Sequence, residues 1–263
     1  MSALSPLASR WFLGVNFTPL SLSRALAQIT EREADAPFVF VNTANAQHVV
    51  GANAKEPRFV AAHDRAWLVL NDSRILRLLS RFVFGQDLPL APGSDITYDL
   101  FHHYIAPNDS ITVIGGSDEV ERRLRAQFHL QALARYDPPM GFYRITAEIE
   151  RCVDFILAHP ARYVFLAVGS PQSEAVACAV LDRGGATGVG LSVGSTLHFV
   201  TGVVRRAPEI YRRLNAEWAY RLIQNPRRHA RRVFVESLPV LWIALRTKLG
   251  PAVRRSHTRF DRR

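Results

Sequence analysis

Asp72 is the residue whose type and position best suit proton-transfer chemistry. It follows the apolar residues 67–70 in "AWLVLNDS", and a carboxylate at the end of a buried strand can act as a general base if it reaches the proton that it removes. The same position suits a helix N-cap, because Asn71, Asp72 and Ser73 can all accept hydrogen bonds from the first helical amides. The spacing alone leaves both roles open for Asp72.

Neutral polar side chains are concentrated in "NTANAQ", which contains Asn42, Thr43, Asn45 and Gln47 within about one turn. This density of hydrogen-bonding groups suits a polyhydroxy ligand such as a sugar. Ordinary turn chemistry is the alternative, because Asn and Thr side chains also bond to the backbone of their own loop.

Two glycine-containing turns precede segments of helical spacing. "VIGGSDE" places Gly115 and Gly116 before one helix, and "AVGSPQSE" places Gly169, Ser170 and Pro171 before another. Free N–H groups at a helix N-terminus make each turn a candidate cradle for phosphate or ribose, although helix capping explains the same residues. Neither turn matches the three-glycine dinucleotide fingerprint, which disfavours a nicotinamide-dependent oxidoreductase.

The elements that must position these turns alternate between apolar, β-rich stretches and helical segments. The predicted strands are "RWFLGVNF", "FVFVN", "AWLVLN", "SITVIGG", "YVFLAVG" and "GVGLSVG". This order predicts an α/β fold with a Rossmann-like, mostly parallel sheet and helices on both faces. In such sheets ligands bind at the carboxyl ends of the strands, where the polar turns lie. We divide the chain into an α/β core at residues 1–200 and a basic helical appendage at residues 201–263.

Positive charge is concentrated in the C-terminal quarter. Residues 203–263 contain sixteen Lys and Arg against four acidic residues, whereas the whole chain has a net charge of +10. An anionic partner therefore meets mainly this segment. A nucleic-acid-binding protein that uses these basic helices is the rival from another class, but no recognition motif of known spacing occurs, so we expect no nucleic-acid partner.

The cysteine content and the length of the apolar stretches indicate the cellular compartment. Cys152 and Cys178 are too few for a disulfide framework or a zinc site, and we expect both to be buried. The first twenty residues do not have the pattern of a signal peptide. The apolar stretch "VFVESLPVLWIAL" is interrupted by Glu236 and Pro239, and it is shorter than the roughly 20 residues that span a bilayer. We expect a cytoplasmic protein that contacts a membrane surface.

Several of these motifs together resemble the WecG/TagA/CpsF glycosyltransferase family, also called glycosyltransferase family 26. "VNTANAQHV", "LVLNDS", "VIGG", "PPMGF", "VGSPQSE", "GVVRRAP" and "AEWAYRLIQNPRR" occur in the family's order and spacing. The resemblance covers about residues 12–240, and its most specific part is residues 202–228.

The resemblance implies an inverting, metal-independent transferase with no cofactor. Such enzymes move a sugar from a UDP-sugar onto a polyprenyl-diphosphate-linked sugar at the cytoplasmic face of the bacterial plasma membrane, in cell-surface polysaccharide or exopolysaccharide synthesis. The absence of an Asp-x-Asp motif is compatible with metal independence. Whether the protein forms a homo-oligomer is left open, and so is the alternative that it is a diverged, non-catalytic member of the family.

Carried over by motif, the resemblance makes Asp72 the catalytic base. Thr43 and Asn45 match polar pocket positions beside it. The "GSPQSE" motif retains Gly169, Ser170, Pro171 and Glu174 as substrate-binding residues. The family's appendage arginines, which stabilise the departing diphosphate and form an active-site lid facing an anionic membrane, correspond to Arg221, Arg228 and Arg231.

Three departures from the family pattern lie near the presumed donor pocket. Ser73 stands where the family usually has Gly, Ser173 where it has Gln, and Leu197-His198 where it has Phe-Asp. These departures bear on which sugar is transferred.

Overall fold

A six-stranded parallel sheet forms the centre of the protein, so the predicted fold class is confirmed. The computed structural model describes residues 7–204 and 238–249. Across the sheet the strands lie in the order β4 (Leu68–Asn71), β3 (Val39–Ala44), β8 (Val189–Ser192), β7 (Tyr163–Ala167), β5 (Ile111–Gly115) and β6 (Leu133–Tyr136). Every neighbouring pair is parallel, which puts all six carboxyl ends at one edge.

Strand side chains alternate between two hydrophobic clusters, one on each face of the sheet. Phe40, Val69 and Ile114 belong to the first cluster, whereas their neighbours Val41 and Leu70 belong to the second. Successive side chains of a strand point to opposite faces. Both faces must therefore be covered, and the strands other than β6 are mostly apolar for this reason.

Helices cover both faces. The first cluster contains residues of α2 (Ala46–Asn53), α3 (Pro57–Arg65), α4 (Arg74–Leu78), α7 (Thr146–Ala158) and α8 (Gln172–Arg183). The second cluster contains residues of α1 (Leu22–Thr30), α5 (Gly93–Asp99), α6 (Asp118–Phe128) and α9 (Thr196–Val200). Helices α4 and α5 continue as π-helical turns over Leu79–Val83 and Leu100–Tyr104, and a short 3-10 turn covers Phe142–Arg144.

The N-terminal stretch "RWFLGVNF" differs from its predicted form. It is not one strand of the main sheet but an antiparallel hairpin of β1 (Arg10–Phe12) and β2 (Val15–Phe17). Leu13 and Gly14 have φ values of 47° and 90°. Positive φ at both central residues is the requirement of a tight two-residue hairpin turn, so the chain reverses where the apolar run appeared continuous.

The described part of the predicted appendage contains one helix, α10 (Pro239–Leu249), which packs against α2. Val240 and Ala244 are buried within the first hydrophobic cluster. The division at residue 200 stays a prediction. Within residues 7–204 and 238–249, no helix is long and apolar enough to cross a membrane.

Candidate active site

The polar turns predicted from the sequence meet at the carboxyl edge of four adjacent strands. The amide of Asp72 donates to the carbonyl of Ala44 at 2.9 Å, which joins the ends of β4 and β3. Thr43 Oγ1 donates to the carbonyl of Ser192 at 3.4 Å, which joins β3 to β8. The amide of Val193, directly after β8, donates to Leu166 of β7 at 3.1 Å. A continuous row of turns results.

Asp72 and Thr43 are connected through Gly93, the first residue of α5. The amide of Gly93 donates to Asp72 Oδ1 at 3.2 Å. A Cβ on Gly93 would lie 2.7 Å from Thr43 Oγ1, so a larger residue there would push against Thr43. Asp72 is partly exposed. Its neighbour Ser73 performs the N-cap role, since Ser73 Oγ accepts from the amide of Leu76. The cap interpretation left open for Asp72 therefore belongs to Ser73.

Asn45 caps helix α2. Its Oδ1 accepts the amide of Gln47 at 2.9 Å, and a capping box joins it to His48. The turn chemistry that was the alternative for this residue is thus present. Asn45 and Thr43 both remain partly exposed at the carboxyl edge of the sheet.

The turn between β7 and α8 is formed by Gly169, Ser170 and Pro171. Gly169 has a φ of 85°, and the Ser170-Pro171 peptide is cis. All three residues are partly exposed. The twelve-residue helix α8 begins directly after them, so the partial positive charge of its N-terminus lies at the same edge as Asn45.

The other glycine turn has a structural role. A Cβ on Gly115 would lie 2.7 Å from Val168 Cγ1 and 2.9 Å from the carbonyl of Ala167, which only glycine avoids. Ser117 Oγ accepts the amide of Val120 at 3.3 Å and caps α6. Capping accounts for this turn.

Sequence reasoning missed His48, which lies at the centre of a buried polar network. His48 Nε2 is 2.9 Å from Glu174 Oε1 and 3.3 Å from Ser170 Oγ. The side chain of His48 is 4% exposed and that of Glu174 is 2% exposed. Glu174 therefore lies behind the turn and does not line its surface, and its direct contact with substrate stays a prediction. The signal that could have found His48 was its spacing of three from Asn45, which is typical of a capping box.

A second buried histidine lies beside this network. The His63 ring is 5.9 Å from that of His48, and His63 Nδ1 is 3.3 Å from Asn42 Nδ2. Burial, with a smaller contribution from the charge of His48, lowers the pKa of His63 to about 3. His63 is therefore neutral at neutral pH.

The three departures from the family pattern each have a place in the structure. Ser73 caps α4. Ser173 is 1% exposed and donates to the carbonyl of Leu166 at 2.9 Å, so its hydroxyl points into the interior. Leu197 is fully buried in the second cluster, whereas the adjacent His198 is only partly buried.

The diphosphate-binding candidates Arg221, Arg228 and Arg231 lie outside the described residues. Within residues 7–204 and 238–249, no three His, Cys, Asp or Glu side chains group so as to hold a metal ion. Both cysteines are buried, as expected.

One comparison with known proteins decides the family. The sequence model described as "Glycosyl transferase WecG/TagA/CpsF family" matches residues 10–254, which is most of the chain. The chain belongs to the WecG/TagA/CpsF glycosyltransferase family. Glycosyltransferases of this family join a sugar from a donor to an acceptor. The row of turns is thus a candidate site for sugar transfer, with one partly exposed carboxylate, neutral polar groups and a helix N-terminus along it.

Proposed function

We propose that this protein is an inverting, metal-independent glycosyltransferase. It moves a sugar from a UDP-sugar, of the N-acetylhexosamine, hexose or uronic-acid type, onto a polyprenyl-diphosphate-linked sugar in bacterial cell-surface or exopolysaccharide synthesis. The observation that supports the proposal is the row of turns after β4, β3, β8 and β7, which brings Asp72 and Thr43 to one edge of the sheet. Family membership supports the transfer reaction itself.

Asp72 acts as the general base of this reaction. Its carboxylate takes the proton from the acceptor hydroxyl, while that oxygen forms a bond to the anomeric carbon of the donor sugar. The bond from the anomeric carbon to the diphosphate oxygen breaks in the same displacement, and UDP leaves with the electron pair. A single displacement inverts the anomeric configuration. The amide of Gly93 holds one carboxylate oxygen at 3.2 Å, which orients the group for the transfer.

The donor lies between the β3–α2 turn and the β7–α8 turn. Thr43, Asn45 and Ser170 are partly exposed there and suit sugar hydroxyls. The N-terminus of α8 after Gly169 and Pro171 suits the negative diphosphate. Arg221, Arg228 and Arg231 complete the diphosphate site in this proposal, because preorganised cations stabilise a leaving anion without a metal.

The protein works at the inner face of the plasma membrane, where a lipid-linked acceptor resides. Support comes from an exposed apolar surface that we call the membrane patch. It combines one side of α10 with the π-helical end of α4, and consists of Leu78, Phe82, Leu241, Trp242, Leu245 and Leu249, which are between 44% and 77% exposed. The two parts are close, since Lys248 Nζ lies 5.7 Å from the ring of Phe84.

Arginine side chains lie next to the two aromatic rings of the membrane patch. Arg246 lies 5.6 Å from the ring centroid of Trp242, and Arg81 lies 5.7 Å from that of Phe82. Apolar side chains with basic residues at their border favour anionic bilayers, and each cation near such a surface contributes about 1 kcal/mol. Helix α4 begins two residues after Asp72, so the membrane patch is close in sequence to the proposed base.

The test is a transfer assay with a panel of UDP-, GDP- and dTDP-sugars and a short-chain polyprenyl-diphosphate sugar as acceptor. We expect mass spectrometry to show the acceptor heavier by one sugar with a UDP donor, with and without a metal chelator. We expect proton NMR of the product to show inversion at the anomeric carbon. Transfer from none of the UDP-sugars, together with transfer from another nucleotide class, would contradict the donor assignment. Retention of configuration would contradict the single displacement.

A further inference from the structure

His48 joins two turns of the candidate site that the sheet itself keeps apart. We propose that His48 is a positioning residue, which sets the spacing between the β3–α2 turn and the β7–α8 turn. Given the proposed function, this spacing determines how tightly the nucleotide of the donor is bound. His48 itself is buried and touches no substrate in this scheme.

The imidazole of His48 contacts both turns at once. On one side the amide of Asn45 lies 3.4 Å from Nδ1, and Asn45 Oδ1 lies 3.1 Å from it. On the other side Nε2 lies 2.9 Å from Glu174 Oε1 and 3.3 Å from Ser170 Oγ. A carboxylate can only accept, so Nε2 carries the hydrogen that it donates to Glu174. Nδ1 then accepts from the amide of Asn45 in the neutral ring, or donates to Asn45 Oδ1 in the charged ring.

This connection spans a strand. Strands β3 and β7 are not neighbours, since β8 lies between them, and two inter-strand steps amount to about 10 Å. The backbone joins each of the two strands to β8 but not to the other. His48 therefore contacts a residue 126 positions away in sequence, across the end of β8.

Glu174 makes this link sensitive to substitution. Its Oε2 is buried and has no hydrogen-bond partner among the described residues, so Oε1 carries the contact with His48. A buried carboxylate that loses its donor is strongly unfavourable. Removal of the imidazole therefore does more than delete one bond, because the first turn of α8 must shift until Glu174 finds another donor or water. Ser170 lies on the turn that moves with it.

Two substitutions separate the two sides of the imidazole. In His48→Gln the side-chain amide reaches the position of Nε2 and can still donate to Glu174. In His48→Asn the shorter amide reaches the position of Nδ1 and keeps the Asn45 side only. His63→Asn is the matched control, because His63 is also buried and lies in the same cluster of rings but bonds to Asn42 and not to either turn.

The first readout is amide hydrogen exchange of residues 43–48 and 168–174 in the free protein. We expect His48→Ala and His48→Asn to raise exchange in the 168–174 turn, and His48→Gln to keep it near the wild-type rate. His63→Asn should leave that turn unchanged. Equal protection of residues 168–174 in wild type and in folded His48→Asn would overturn the proposal, whether or not the protein binds a nucleotide.

The second readout is calorimetric binding of UDP together with steady-state kinetics. Loss of one hydrogen bond to the charged diphosphate lowers affinity by about ten- to hundredfold. We therefore expect UDP affinity to be weaker by about this factor in His48→Asn, and the donor KM to be raised by the same factor. His48→Gln should restore most of the affinity. The kcat should change little, because Asp72 follows β4 and lies outside the His48 network. A fall in kcat with unchanged KM would refute the positioning role. A wild-type protein that does not bind UDP would instead refute the proposed donor, and the exchange data would still decide the role of His48.

Discussion

Replacement of Asp72 by Asn separates the proposed chemistry from the structure around it. The amide Oδ1 of Asn can still accept from Gly93, whose amide is 3.2 Å from the Asp72 oxygen. What is lost is the charge. A hydrogen bond to a charged group contributes about 1.5–3 kcal/mol, against about 0.5–1.5 kcal/mol for a neutral one. The unfolding free energy should therefore fall by about 1–2 kcal/mol, and the protein should stay folded.

The rate should fall far more than the stability. General base catalysis contributes about a hundred- to ten-thousandfold, so we expect Asp72→Asn to reduce kcat of sugar transfer within that range. UDP affinity should stay within about threefold, a change of less than 1 kcal/mol, because the nucleotide is bound by the other turns. The assay is transfer to the polyprenyl-diphosphate acceptor at saturating donor, with calorimetry of UDP and a denaturant titration on the same preparation.

Asp118→Asn provides the matched control. Asp118 is also an aspartate between a strand of the same sheet and the helix that follows it, at the first position of α6, but its carboxylate pairs with Arg135 and is highly exposed. We expect near wild-type turnover from this variant. Turnover by Asp72→Asn within threefold of wild type would show that Asp72 is not the base, and an equal loss in Asp118→Asn would show that the effect is not specific to Asp72.

Three further predictions follow from packing, thiol chemistry and the exposed surface. Gly93→Ala puts a methyl group 2.7 Å from Thr43 Oγ1 and should lower the unfolding free energy by about 1–3 kcal/mol. In denaturant titrations the double variant with Thr43→Ala should recover part of this loss. If the free-energy changes of the two single variants simply add in the double variant, the contact is contradicted. Burial raises the pKa of Cys152 to about 12 and that of Cys178 to about 11. A thiolate-specific reagent at pH 8 should therefore label both cysteines rapidly only after unfolding, and rapid labelling of the folded protein would refute their burial. The double variant Trp242→Ser, Leu245→Ser should bind anionic vesicles about tenfold or more weakly than the wild type in a sedimentation assay, and neutral vesicles should bind both proteins weakly. Unchanged binding of anionic vesicles by the double variant would exclude the membrane patch as the contact.

The βα order and the positions of the polar turns were readable from the sequence, whereas β6 was not. Only Leu133 of β6 is buried and its other three residues are half-buried, so the strand has neither a continuous apolar run nor a clear alternation. Strand β6 lies at one edge of the sheet and is covered less completely than β4 at the other edge, whose four residues are all buried. The single helical stretch "HVVGANAKEPRFVAAHDRA" that the sequence indicates forms two helices, α2 and α3, because Lys55 adopts a φ of 56° and Pro57 starts the second helix.

Which residues meet at the candidate site was partly determined by sequence. The motifs "NTANAQHV", "LVLNDS" and "VGSPQSE" place polar groups after buried strands, and this depends only on local periodicity and on turn chemistry. Asp72, Thr43 and the Gly169 turn are predicted in this way. The same motifs, together with those of residues 202–228, carry the resemblance to the family, which the match over residues 10–254 confirms.

Only the tertiary structure decided which of these turns are neighbours. The crossovers place β8 between β3 and β7, and from this arrangement follow the contact of Thr43 with Ser192, 149 positions apart, and that of His48 with Glu174. Local patterns contain no information on strand order, because every apolar strand of a parallel sheet satisfies the same burial on both faces. The buried link between the two turns exists because β3 and β7 flank β8 in this strand order. This order brings the imidazole of His48 and the carboxylate of Glu174 together across the end of β8.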